Sequence, residues 1–131
     1  MAENRPSADK WLEEAKKDEK AYLCGMYLTH NGVVRETAKA KVRGGKEGTP
    51  AVTGMLFSYD EKKVHKAIDD TYAMPGIYYI KVWLNSGKLA VGDDIMQVLI
   101  GGDIRPHITD ALNFLVGTIK NECVSEIEQY E

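Results

Sequence analysis

The sequence predicts an α+β domain in which helices cover a mainly antiparallel sheet. Three observations carry that expectation. Strand-like and amphipathic segments alternate in the order α-β-β-α-β-β-α, the links between neighbouring strands are compatible with hairpins, and the last long segment repeats apolar residues at the helical period. With 131 residues, 44% of them hydrophobic, the chain has material for one core, so residues 1–131 read as a single domain.

Residues 1–19 hold the N-terminal helix. Ser7 can cap it, and Trp11, Leu12 and Ala15 form a narrow apolar stripe suited to the edge of a core. "AYLCGMYLTHNGVVR", residues 21–35, is rich in aromatic and β-branched residues and reads as a strand, bulged or turned at a glycine. Residues 36–50 form a mobile basic loop. From Arg35 to Pro50 there are three lysines and two arginines against two glutamates, and Gly44, Gly45, Gly48 and Pro50 deny the segment regular structure. It is either solvated loop or a flap over an anionic ligand, with Lys39, Lys41 and Arg43 as the flap cations.

A second strand is expected at residues 51–59. A helix follows over 59–72, started by a capping box of Ser58 and Glu61 and ended by Met74-Pro75-Gly76. "IYYIKVWL", residues 77–84, suits an interior strand or one that meets a partner subunit. Asn85-Ser86-Gly87 then turns the chain into a further strand, with Gly92-Asp93-Asp94 as a bend or bulge. In the last helix Pro106 fits the first turn, and Ile108, Ala111, Leu112, Leu115, Val116, Ile119 and Cys123 form a buried stripe. Residues 121–131 are expected to fray as an acidic tail.

The formal charge of −3 argues against a general nucleic-acid binder, which would carry a basic surplus to displace phosphate counterions. The two cysteines, Cys24 and Cys123, have no CxxC spacing and fit a reducing compartment. The amino terminus is too charged for a signal peptide, and no apolar run approaches membrane-spanning length, so a soluble cytoplasmic protein is expected. His30, His65 and His107 lack zinc-ligand spacing, no metal site is expected, and no nucleotide or nucleophile-elbow motif is present.

The most suggestive stretch is "IGGDIRPHITDAL", residues 100–112. Gly101 and Gly102 would let a ligand approach the main chain, the helix start offers unpaired amides, and Arg105 adds a bidentate donor. An anion site and a structural strand-to-helix corner both fit. Lys120 lies at the rim of the apolar stripe, where it either snorkels or, if covered, serves as a working amine.

"THNGVVR" (29–35), "SGKLAVGDDIMQV" (86–98), "IRPHITDAL" (104–112) and "GTIK" (117–120) together resemble the MoaE family, the large, catalytic subunits of molybdopterin synthase. The likeness spans about residues 20–120. It implies an α/β-hammerhead-like fold and a homodimer that binds a ubiquitin-like small subunit with a Gly-Gly tail. That tail carries a thiocarboxylate, from which two sulfurs pass to a pterin phosphate, cyclic pyranopterin monophosphate, with no tightly held cofactor. By the same resemblance Lys120 is the catalytic lysine, Arg105 holds the substrate's anionic end, and Arg35 is the arginine at the first strand end.

The sequence departs from the family pattern at three places. Ile104 stands before Arg105 where a histidine is expected, Leu84-Asn85 replaces a second His-Arg, and Ile127 replaces a second lysine. Those losses weaken electrostatic stabilisation of an anionic substrate. They leave a second reading open, a catalytically silent homologue acting as a binding or regulatory module.

Overall fold

A computed structural model describes residues 4–36 and 51–130. Its helices and antiparallel strands form an α+β fold, as the alternation of segments predicts. Helix α1 (Ala8–Ala15) starts where expected, with the Ser7 side chain accepting from the Lys10 amide. Strand β1 (Met26–Val33) follows a short 3₁₀ turn, and its register slips between Gly32 and Val33. Then come β2 (Val52–Tyr59), α2 (Glu61–Tyr72), β3 (Ile77–Leu84), β4 (Gly87–Ala90), β5 (Asp94–Gly102) and α3 (Arg105–Thr118). Helix α3 passes into a π-turn, Ile119–Cys123, and the chain closes with β6 (Val124–Tyr130).

The strands form two three-stranded antiparallel sheets, ordered β1-β5-β3 and β4-β2-β6. The segment 87–102, expected as one bent strand, is therefore split between them. Gly87 and Gly92 have positive φ, and the turn between β4 and β5 is held by the Asp93 carboxylate accepting from the Ala90 amide at 2.8 Å. Strand β3 is an edge strand; β5 is the interior one, and all but its first residue are buried. The main core joins both sheets, with Met55, Phe57 and Leu89 from one, Val98 and Ile100 from the other, and Val64, Ile108, Ala111 and Leu115 from α2 and α3. Behind the β1-β5-β3 sheet, Trp11 and Ala15 of α1 pack on Leu99 in a satellite cluster, the edge position their narrow stripe predicts.

Two expectations are corrected. The cap of α2 is Asp60, which accepts from the Lys63 amide at 3.1 Å, rather than Ser58. The helix begins at Glu61, and a cap must directly precede the first helical residue, whereas Ser58 belongs to β2. The acidic tail does not fray. Residues 124–130 pair along the whole of β2, where Val124, Ile127 and Tyr130 suit a strand and β2 would otherwise lack a neighbour on that edge. A further expectation is untested: segment 37–50 lies outside the described residues, and with it the basic loop and its flap cations Lys39, Lys41 and Arg43. The Val52 amide donates to the Glu36 carbonyl at 2.7 Å, so the chain leaves and re-enters that segment beside Arg35.

Candidate functional site

The carboxyl end of α3 is fixed by Ile119 and Cys123, both buried, while Lys120 between them is half-buried. The π-turn there is a local widening of the helix of the kind found often at functional sites. Arg35 is placed by its neighbour. Val34 is buried, its amide donates to the Asp93 carbonyl at 2.9 Å, and its own carbonyl accepts from the Gly92 amide at 2.8 Å. The β4–β5 turn thus pins the strand end that carries Arg35.

These two elements meet β6 around a cavity of about 340 Å³, lined by Val33, Arg35, Lys120, Glu126, Ile127 and Glu128 among others. Glu126 and Glu128 stand opposite Phe57 and Met55 of β2, on the face turned to the core, because directly opposed residues of an antiparallel pair share a face. Two cations therefore share the cavity with two carboxylates, and Ile127, 57% exposed, lies on its rim. Such a site suits a ligand with an anionic end and a donor-rich end better than a plain polyanion.

Arg105 is not among the lining residues. It is exposed at the amino terminus of α3, a 14-residue helix away from Lys120. The corner beside it is structural, which corrects the expectation that Gly101 and Gly102 bare the backbone to a ligand. Both glycines are buried. A Cβ on Gly101 would stand 2.5 Å from the Tyr27 ring, and one on Gly102 would strike the Gly76 carbonyl oxygen and meet Ile108 at 2.9 Å. A carboxylate also stands at the positive helix end. Asp103 Oδ1 accepts from the Ile104 amide at 2.7 Å and meets His107 Nδ1 at 2.8 Å. The hydrogen bond with His107 holds the Asp103 carboxyl below its usual range.

The departures at Leu84 and Asn85 also have structural roles. Leu84 is buried in the core, and the Asn85 side chain accepts from the Ser86 amide and donates to the Asp94 carbonyl, both at 2.8 Å. Sequence reasoning missed Glu126, Glu128 and Tyr130 as cavity residues because it read their segment as a solvated tail. The signal was present in "VSEIEQY", where apolar residues suited to a strand are spread among the acids. Among the described residues no group of three or more histidines, cysteines and carboxylates could hold a metal ion, and no helix is long and apolar enough to cross a membrane.

Comparison with known proteins agrees with this architecture. A family model described as MoaE protein matches residues 2–122. No curated protein sequence matches the chain. Among solved structures, molybdopterin synthase from Staphylococcus aureus superimposes with a TM-score of 0.73 at 18% identity, covering 98% of this chain and 88% of that one. A molybdopterin biosynthesis MoaE protein from Burkholderia ambifaria gives 0.72 at 16% identity, covering 97% and 83%. A complex of subunits 1 and 2 of molybdopterin-converting factor from Helicobacter pylori gives 0.57 at 18% identity, covering 95% and 80%.

Proposed function

The chain belongs to the MoaE family, and from that premise we propose that it is the large subunit of a molybdopterin synthase. In this reading it acts in molybdenum cofactor biosynthesis as a cytoplasmic homodimer. It takes the thiocarboxylated Gly-Gly tail of a ubiquitin-like small subunit and passes sulfur to cyclic pyranopterin monophosphate. The observation that carries the reading is that Arg35 and Lys120, far apart in the chain, line one cavity.

The roles follow from the chemistry of the groups. The Arg35 guanidinium offers paired donors to the pterin phosphate. The Lys120 ammonium stabilises the negative charge that develops on the thiocarboxylate's oxygen or sulfur during transfer. The neighbouring complex of subunits 1 and 2 of molybdopterin-converting factor supports a small-subunit partner for this chain. Arg105 can join this cavity only from a second copy of the chain. Within the homodimer a mixed assembly of Arg105→Ala and Lys120→Ala subunits would then recover activity that neither variant has alone.

The test is reconstitution. Purified chain, thiocarboxylated small subunit and cyclic pyranopterin monophosphate should yield molybdopterin, with the product lost in Lys120→Ala. Binding of the tail without product from the wild-type chain would instead identify a silent homologue.

A further inference from the structure

His30 lies on β1 opposite Val98, so its ring is on the sheet face that packs into the main core beneath α3. The next residue on that face is Gly32, which faces Met96. A Cβ added there would stand 3.8 Å from His30 Nε2, so the imidazole leans along the strand toward Val33 and Arg35, the end that lines the cavity. His30 Nε2 is buried and has no hydrogen-bond partner among the described residues. Buried polar atoms are nearly always paired, and a phenylalanine would fill the same volume without leaving an orphan. Packing alone therefore does not account for an imidazole here.

Burial of the ring, and then the positive charge of Lys120, hold the His30 pKa below its usual value, so the ring is neutral at pH 7. Lys120 is the charged group that adds to the effect of burial; the strand opposite presents Val98 and Met96 on that face.

We infer that His30 is a positioning residue for Lys120: in the filled cavity its bare Nε2 accepts a hydrogen bond from the Lys120 ammonium and fixes where that group stands against the bound tail and pterin. This rests on the reading of Lys120 as the working amine. The ring acts in its Nδ1–H tautomer and no bond is made or broken. A ligand that displaces water from Lys120 frees one of the ammonium's three donors just where Nε2 lacks one, while Glu126, Glu128 and the ligand can take the others. Protonating His30 removes the acceptor and sets a second cation against Lys120, so the working geometry is lost as pH falls through the depressed pKa.

Two measurements on the full chain decide it. An NMR titration of the imidazole should give His30 a midpoint below the usual histidine value, moving upward in Lys120→Met; a midpoint unmoved by that substitution overturns the pairing. In the reconstituted assay His30→Phe should keep or raise the melting temperature and leave small-subunit affinity unchanged while kcat falls tenfold or more. His30→Gln, an acceptor that does not titrate, should recover part of kcat and lack the acidic limb of the pH profile. Wild-type kcat with an intact acidic limb in His30→Phe overturns the proposal. If the wild-type chain makes no product with any thiocarboxylated partner, the sulfur-transfer reading fails, yet the titration still decides whether His30 and Lys120 are coupled.

Discussion

The two ends of α3 solve different problems with the same helix. At the amino end, two glycines, a proline and an arginine look like an anion cradle, but the space above the glycines is filled by Tyr27, Ile108 and the Gly76 carbonyl, and the Asp103 carboxylate stands beside the helix start. At the carboxyl end the sequence offers only one lysine at the rim of an apolar stripe. There the helix widens into a π-turn, presents Lys120 half-buried, and meets Arg35 and β6 around a cavity. The difference teaches that a backbone stripped of side chains marks close approach without saying of what. In this corner the approaching group is the chain itself.

Substitutions at the two ends should break or sharpen that contrast. The largest effect belongs to Lys120→Ala, expected to lower molybdopterin formation by on the order of 10²–10⁴-fold with little change in melting temperature, as measured in the reconstituted assay. The reverse pattern is expected at the other end. Gly102→Ala forces a Cβ into the Gly76 carbonyl, which cannot swing aside as a side chain could, and should cost roughly 1–3 kcal/mol in denaturant unfolding while protein that remains folded keeps its turnover. A turnover loss in Gly102→Ala at unchanged stability would restore the corner as a ligand site.

A smaller effect is expected from Ile127→Lys. It adds a cation at an exposed rim position beside two carboxylates, and should tighten pterin phosphate binding by less than about tenfold with no loss of stability. The smallest concerns Asp103. Its carboxyl is held below the ordinary value, so the folded form binds its proton less readily than the unfolded form. The contribution to stability is present above pH 3.8, the unperturbed value, and is lost as pH falls through the lowered one. Thermal melts across that range should show a shallower acid dependence for Asp103→Asn than for the wild-type chain.

What could be read from the sequence follows the physics of each element. The stripe from Ile108 to Cys123 was legible because helical periodicity is local, and every residue named in it is buried or packed on the core. Strand positions were legible from composition, but partners were not. Whether β4 continues into β5 or crosses to another sheet depends on contacts distant in sequence, and the positive φ of Gly92 marks only that a turn occurs. The acidic tail was misread because Glu126 and Glu128 look solvated in isolation, whereas in the fold they share a cavity with Arg35 and Lys120. Family resemblance pointed to Arg35, Arg105 and Lys120 together. The single chain brings two of them to one cavity and leaves the third at the opposite end of α3.

The central claim is that the working site lies at the carboxyl end of α3. The most direct measurement is a backbone NMR titration of the full chain with the thiocarboxylate-ended small subunit. A site at that end should give shifts that include Val33–Arg35, the Ile119–Cys123 turn and β6. Shifts confined to Gly101–His107, with the Lys120 end silent, would contradict it.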